Sequence, residues 1–333
     1  MTSLGAALLS ILAVSVMGFA IQRGGTCTVA AVDEIISQHR AHRLVAMLEA
    51  SLWVVGGLAL AQLAHWSGSM PGGHAITPWT VVGGVLLGLG AWINGACVFG
   101  AIARLGSGQW AQAVTPVGFF FGCLTVTALL AHGHAAGSTT SATVPLWSAA
   151  DWLVPAFACY ALWRVAPRLL AGLREPAEAR RWAARTWAPH AATIVIGIAF
   201  VLTLLLAGPW AYTDVLARSA QDLRDGMASG DWHEMALPLA LFVALCVGAL
   251  VGGWSAGRWS PTAPTLAGLV RAFLGGALMG WGSLLIPGSN DGLILIGIPL
   301  LRPYAWLAFA SMALTIAAAL LVQRAVAARR SAA

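Results

Sequence analysis

Three glycine-rich interruptions break long apolar runs in this chain, and they constrain its fold more than any other feature. They are the stretches Gly18–Cys27, Gly88–Cys97 and Gly280–Ser289. In each stretch a glycine precedes a small cysteine or serine by nine residues, and further glycines or a proline come just before that side chain. Backbone leaves helical geometry at membrane depth only where protein or a water-lined cavity satisfies its polar groups. Repeated breaks of this kind predict interrupted membrane helices that line a transport pathway.

The composition is that of a polytopic membrane protein. Hydrophobic residues make up 59% of the 333 residues, charged residues make up 9%, and the mean hydropathy is +0.80. Soluble domains have about a quarter charged residues. At roughly 20 residues per crossing, about nine or ten crossings fit once loops are counted. We therefore predict one transmembrane transporter domain over residues 1–333, with the lipid bilayer as its surroundings. The net charge of +6 does not indicate nucleic acid, because the arginines cluster at helix ends and in one loop.

Nine apolar runs predict the crossings, and four short segments that follow some of them predict the second parts of broken helices. The runs are 4–21, 44–64, 79–93, 111–131, 149–166, 189–207, 234–254, 264–286 and 303–322. The short segments are 28–38, 97–105, 211–222 and 290–298. The predicted fold class is therefore an all-α membrane bundle with about nine crossings and about four short helices.

Arginine sets the predicted orientation. The segment 167–188 and the C-terminus carry clustered arginines, whereas the loops 65–78 and 132–148 carry none. Because cytoplasmic loops are enriched in basic residues, the former are assigned to the cytoplasm and the loops to the outside, and the N-terminus is then outside. The first half (about 1–166) has two broken crossings running inward and the second half (about 189–322) has two running outward, with 167–188 as the linker. This predicts an inverted-topology repeat whose site lies near the midplane.

The backbone at the breaks favours a small anion as substrate. A helix that restarts inside the membrane presents free N–H groups and a positive dipole end. Glycines let the chain turn there and approach a small solute closely. The glycines concerned are Gly24, Gly25, Gly95, Gly288 and Gly292. Arg23 adds positive charge next to the first break in one interpretation, and snorkels to the interface in the other.

Two cysteines occupy matching positions of the first two breaks. A thiol is a weak donor on a polarisable atom, so it suits contact with a sulfur-bearing solute. Isolated membrane cysteines usually serve packing, which is the interpretation for Cys123, Cys159 and Cys246 in continuous apolar runs. The repeated position favours a role for Cys27 and Cys97. No spacing indicates zinc or a disulfide, and Cys27 is expected nearer the cytoplasmic side than Cys97, because the first run almost spans the membrane by itself.

Amide and carboxylate side chains also lie at the breaks. Asn94 precedes the second cysteine, and Asn290 and Asp291 follow Ser289. A carboxylate within membrane depth is costly and often functional. Asp291 is therefore a candidate for the substrate path, and the alternative is an N-cap of the short helix 290–298.

The stretches Gly18–Ile36, Gly88–Trp110 and Gly275–Pro299 resemble the YeeE/YedE family of sulfur-compound transporters, which includes bacterial thiosulfate uptake proteins. The resemblance implies an hourglass-like helical bundle whose short helices meet at the middle, with cysteines that pass thiosulfate along by S–H contacts. Cys27 and Cys97 match the first two of three such cysteines. The third position departs, because Ser289 keeps a donor of similar reach without the sulfur that persulfide chemistry needs. A cytosolic carrier of the TusA type is the partner that the resemblance implies.

The sequence thus predicts a multi-pass permease of the bacterial inner membrane that imports a small sulfur-containing anion, with thiosulfate favoured. The predicted path residues are Cys27, Cys97, Ser289, Asn94, Asn290, Asp291, Arg23, Gly25, Gly95 and Gly288. No P-loop, metalloprotease, hydrolase or dinucleotide motif is present, so neither enzyme activity nor a cofactor or metal is predicted. Two alternatives stay open. One is a membrane-embedded thiol enzyme that takes sulfane sulfur onto Cys97 and hands it to a cytosolic acceptor, and the other is a passive anion channel or scaffold subunit.

Overall fold

The computed structural model of the chain describes residues 4–65, 71–130, 139–140, 150–174, 186–224 and 232–332. These residues form an all-α bundle, as predicted. Its helices are α1 (Leu4–Gly24), α2 (Thr28–Gln38), α3 (His42–Leu63), α4 (Pro78–Asn94), α5 (Val98–Gly106), α6 (Val114–Leu130), α7 (Ala150–Arg174), α8 (Pro189–Ala207), α9 (Tyr212–Arg224), α10 (Trp232–Ser255), α11 (Leu266–Leu285), α12 (Asn290–Gly292) and α13 (Pro303–Ala332). A 3₁₀ turn over Trp110–Ala113 precedes α6, and α12 continues as a π-helical turn over Leu293–Gly297. Strands β1 (Gly73–His74) and β2 (Thr139–Thr140) form a short antiparallel pair.

All four predicted short segments are helices. They are α2, α5, α9 and α12 together with its π-helical turn. The five cysteines are free thiols, as expected.

Seven helices in the described part of the chain are long and apolar enough to cross a membrane. They are Leu4–Gln38, His42–Leu63, Pro78–Gly106, Pro189–Ala207, Met235–Ser255, Leu266–Leu285 and Pro303–Ser331. The two remaining predicted crossings, near 111–131 and 149–166, are helical as α6 and α7 but are not among these seven. The count of nine crossings therefore stays a prediction.

The predicted linker begins as helix rather than loop. Helix α7 continues through 167–174, past the end of the apolar run at 166. The continuation follows from its sequence, since Arg, Leu and Ala are strong helix formers. Residues 175–185 of the predicted linker lie outside the described residues, as do 131–138 and 141–149 near the predicted outer loop.

Glycine allows the long helices to pack with their backbones close together. An added Cβ at Gly18, Gly118 or Gly248 would overlap a backbone carbonyl oxygen of the facing helix. Small residues of this kind are the usual basis of helix association in lipid, where burial of apolar surface gives little driving force.

The long helices pack in two matched sets. Helix α1 packs against α8 and α10, and α8 also packs against α3; helix α4 packs against α11 and α13, and α11 also packs against α6. The short helices follow the same rule, because α5 packs on α10 while the π-helical turn packs on α3, and α9 packs on α6 while α2 packs on α13. The same contacts result when each of these helices of the first half is exchanged with its counterpart in the second half. The long counterparts are α1 and α8, α3 and α10, α4 and α11, and α6 and α13. The short counterparts are α2 and α9, and α5 and α12 with its π-helical turn. An inverted-topology repeat predicts this exchange pattern.

Candidate functional site

Each short helix begins directly after a sharp backbone turn at a glycine. The glycines with positive φ at these turns are Gly25 (+57°), Gly95 (+73°), Gly208 (+87°) and Gly288 (+146°). This region of backbone space is costly for residues with a Cβ, so the turns depend on glycine. Two glycines predicted to serve the same purpose do not, because Gly24 has no positive φ and Gly292 is helical.

The first residues of the four short helices meet and form a closed ring of hydrogen bonds. The backbone N–H of Thr28 in α2 donates to Sγ of Cys97, the residue that precedes α5, over 3.2 Å. The hydroxyl of Tyr212 in α9 donates to the carbonyl oxygen of Val98 in α5 over 2.9 Å. These two bonds link α2 to α5 and α5 to α9.

The other two bonds of the ring involve the fourth short helix. The hydroxyl of Thr213 in α9 donates to Oδ1 of Asp291 in α12 over 2.6 Å. Nδ2 of Asn290 in α12 donates to Oγ1 of Thr28 in α2 over 3.2 Å. The ring therefore joins the starts of α2, α5, α9 and α12, and every residue in it is buried.

Cys27 lies directly beside this ring, because Sγ of Cys97 accepts from the backbone N–H of Thr28, the residue that follows Cys27. The exposed fractions of Cys27 and Cys97 are 7% and 0%. Gly100 packs against the first thiol, since a Cβ added there would lie 2.5 Å from Sγ of Cys27. The two cysteines therefore lie close together, and the expectation that Cys27 is nearer the cytoplasmic side stays a prediction. The turn at Gly25 directs the chain back toward the second break, which brings the two thiols together.

The turn at Gly288, just before α12, carries three buried polar atoms that have no hydrogen-bond partner among the described residues. They are Oγ of Ser289, Oδ1 of Asn290 and Oδ2 of Asp291. The three residues are at most 2% exposed. Buried polar atoms are nearly always paired in folded proteins, so three at one turn indicate room for the polar atoms of a ligand or of water.

Asp291 is not the N-cap of its helix. Ser289 holds the N-cap position, with no side-chain capping bond. The carboxylate instead accepts from the hydroxyl of Thr213 and, over 3.0 Å, from the backbone N–H of Gly292 through the same Oδ1. The capping interpretation is therefore wrong, and Asp291 belongs to the ring.

Arg23 lies against another part of the bundle. Its guanidinium is 4.9 Å from the centroid of the Phe19 ring, and Nη2 donates to Oγ of Ser255 over 3.0 Å. The backbone N–H of Trp187 donates to its carbonyl oxygen. The side chain is 4% exposed, so it does not snorkel to solvent. These contacts hold it at the C-terminal end of α10.

Asn94 stabilises the second turn. Its Nδ2 donates to the carbonyl oxygen of Ala96 over 2.9 Å, and its Oδ1 accepts from the hydroxyl of Thr115 over 3.3 Å. The amide thereby ties the break to the start of α6. Asn94 is thus placed as a support of the turn that presents Cys97.

Sequence reasoning missed three residues whose side chains take part in the ring. Thr28, Tyr212 and Thr213 were not selected, although each stands at the first or second position of a short helix. Their signal was their place directly after a predicted break. Nothing in the local sequence gives the identity of their partners, which are 69 to 262 residues away.

A buried ionic cluster outside the ring was also missed. Glu49 of α3 is 7% exposed. It accepts from the hydroxyl of Tyr160 over 2.7 Å and from Nε of Arg164 over 2.8 Å, and its other oxygen contacts Nδ1 of His190. Buried charges persist only when they are paired and hydrogen-bonded. The cluster fastens α7 and α8 to α3.

The ring has the chemistry of a small-anion site. Thiols, hydroxyls, an amide and the Asp291 carboxylate lie at the ring together with the N-terminal ends of the short helices, and the partial positive charge of a helix N-terminus stabilises an anion. No group of three or more His, Cys, Asp or Glu side chains that could hold a metal ion occurs among the described residues. This arrangement of groups can bind a small anion by hydrogen bonds and by contacts with the polarisable sulfur atoms.

Comparison with known proteins agrees with this chemistry. The family model described as sulphur transport matches residues 23–318. The thiosulfate transporter TsuA of Escherichia coli (strain K12) is 23% identical over 334 residues, which cover 91% of this chain and 90% of that protein. The family match includes the stretches Gly88–Trp110 and Gly275–Pro299, all but the first five residues of Gly18–Ile36, and most of the bundle around them. This chain belongs to the sulphur transport family.

Proposed function

We propose that this protein is a permease that imports thiosulfate through the ring where the four short helices begin. The observation that carries the proposal is that Cys27 and Cys97 adjoin each other where the helix N-termini meet, with Sγ of Cys97 bonded to the backbone N–H of Thr28. The family supports transport of sulfur compounds, and the relative supports thiosulfate among them.

The proposed path uses weak contacts in sequence. Thiosulfate has a soft terminal sulfur and three oxygens, so it can accept S–H, N–H and O–H donors together. Because the thiols adjoin each other, the anion can pass from one to the other and keep contact with at least one donor throughout. The ring is closed by four single hydrogen bonds. Three of them join neutral groups and contribute about 1 kcal/mol net each, and the bond to the Asp291 carboxylate contributes about 1.5–3 kcal/mol. Such a ring can open for an anion that offers replacement acceptors.

Uptake of doubly labelled thiosulfate tests the proposal and separates it from sulfane transfer. Thiosulfate labelled separately in its outer sulfane sulfur and in its inner sulfur is supplied to cells that have no other means of sulfur import. A permease brings both labels inside at equal rates. A thiol enzyme that keeps sulfane sulfur on Cys97 brings in only the outer label, and a passive channel shows neither saturation nor competition by unlabelled substrate. Absence of any uptake would refute the proposal.

We further propose that the protein lies in the bacterial inner membrane with its N-terminus outside and its C-terminus cytoplasmic, and that its halves form an inverted repeat. The exchange pattern of the helix contacts supports the repeat. Arg324 pairs with Asp33 over 2.6 Å, which places this arginine of α13 beside α2. Arg302 is the contrary case, because it binds the carbonyl oxygen of Pro71 at the end assigned outside. The predicted TusA-type carrier would act at the cytoplasmic end and stays a prediction.

The orientation predicts the labelling of single cysteines in a background without the native thiols. Cysteine at Ser138 should react with an impermeant maleimide on intact cells, and cysteine at Ala179 should react only after the cells are opened. The physical reason is the arginine asymmetry of the two segments. Labelling of Ala179→Cys but not Ser138→Cys on intact cells would reverse the assignment.

We expect Ser289→Cys to keep thiosulfate uptake and Ser289→Ala to lose most of it. Its hydroxyl is buried and has no partner among the described residues, so we expect it to donate to the passing anion. Loss of a hydrogen bond to a charged group costs about 1.5–3 kcal/mol. Ser289→Ala should therefore lower thiosulfate uptake by about ten- to a hundredfold, whereas Ser289→Cys should retain or improve it. Unchanged kinetics in Ser289→Ala would remove this residue from the path.

A further inference from the structure

A polar cavity of about 240 Å³ opens beside the second break. The end of α4, the segment that follows α5 and the start of α11 enclose it. Its walls include Asn94, Gly95, Arg104, Gln112 and Arg271. Gly95 lies two residues before Cys97, so the cavity adjoins the thiol ring along the chain.

Two arginines face this cavity and no acidic residue lines it. Arg104 has no hydrogen-bond or ion-pair partner in the described part of the chain, and its Nη1 would lie 3.3 Å from a Cβ added at Gly95. Arg271 donates through Nε to the carbonyl oxygen of Ile93 over 3.2 Å. That bond orients the guanidinium, and its terminal nitrogens remain available for a ligand. Two cations around one small cavity repel each other, and an anion between them relieves that repulsion.

We infer that this cavity is a second anion site, which takes a small tetrahedral oxyanion of the sulfate or thiosulfate class between Arg104 and Arg271. The planar guanidinium fork suits bidentate binding of oxyanions. The volume is below the range of about 300–1,000 Å³ that is usual for drug-sized ligands, which fits an anion of a few atoms with some water. During transport the anion would occupy this cavity on the α5 side of the thiols, and this role rests on the proposed function. Binding itself does not depend on that function.

Equilibrium binding to the purified full-length protein tests the site. Radiolabelled thiosulfate and sulfate are titrated at low ionic strength into wild type, Arg104→Gln, Arg271→Gln and the double variant. Each single change should weaken binding about tenfold or more, because a charge-assisted hydrogen bond is lost. Lysine at either position should restore part of the affinity, since it keeps the charge without the fork. Arg258→Gln is the matched control, because this exposed arginine does not line the cavity. Melting temperatures confirm that each variant is folded.

Two further experiments distinguish binding in this cavity from binding at the thiol ring and from binding of a lipid phosphate. A variant with both Cys27→Ala and Cys97→Ala should retain binding in the cavity, which separates this site from the thiol ring. Binding in the cavity without cellular uptake would support this site and contradict the proposed function. Titration in nanodiscs with and without phosphatidylglycerol asks whether a lipid phosphate takes the cavity instead. Equal binding by wild type and the Arg104→Gln/Arg271→Gln variant, equal loss in Arg258→Gln, or displacement by the anionic lipid would overturn the inference.

Discussion

Cys97→Ala is expected to lower the initial rate of thiosulfate uptake by about tenfold or more. The change removes a thiol that would contact the anion, and it also removes the acceptor of the Thr28 N–H. Contacts to a charged solute are worth about 1.5–3 kcal/mol each. Cys97→Ser should retain part of the rate if the thiol acts as a donor, and none if a persulfide must form on it. Uptake of labelled thiosulfate by whole cells measures both variants.

Cys123→Ala is the matched control for this prediction. Both cysteines are 0% exposed, so both variants lose a buried thiol. The thiol of Cys123 donates to the carbonyl oxygen of Gly280 over 3.6 Å, within the packing of α6 against α11. Its loss should reduce stability slightly and leave uptake close to wild type. Equal, mild effects of the two alanine variants would show that the position at a helix break carries no function.

Gly100→Ala is expected to reduce uptake about as strongly, by displacing a thiol rather than deleting it. The added methyl group would lie 2.5 Å from Sγ and 3.0 Å from Cβ of Cys27. Overpacking of this kind costs about 1–3 kcal/mol and shifts side chains. Cys27 would have to leave its position beside Cys97. Gly5→Ala serves as the control, because this helical glycine at the start of α1 lies outside the ring and an added Cβ there meets nothing within 4 Å.

A double variant identifies the cause of the Gly100→Ala effect. If the methyl group acts only by displacing the thiol, Cys27→Ala with Gly100→Ala should transport no worse than Cys27→Ala alone. Effects that simply add would indicate that the two residues act independently. Loss of folded protein in Gly100→Ala but not in the double variant would still place the clash at the thiol.

The sequence by itself determined the fold class and the positions of the breaks. Apolar runs of membrane length specify helices, since lipid offers backbone groups no other partner. The glycine turns at Gly25, Gly95 and Gly288 were also readable, because only glycine adopts their backbone conformation at little cost. The four short helices followed from the residues after each break. These features are local, and a local pattern is enough to specify them.

Only the tertiary structure decided which breaks meet and which side chains take part. The bonds from Asn290 to Thr28 and from Thr28 to Cys97 join residues 262 and 69 positions apart, and such pairs depend on how whole helices pack. Helix packing also decides that Arg23 contacts Ser255 at the end of α10. It also brought Arg104 and Arg271 to one cavity. Hydropathy and glycine spacing are properties of one helix at a time, whereas a site in the bundle exists only where several helices present their ends to each other.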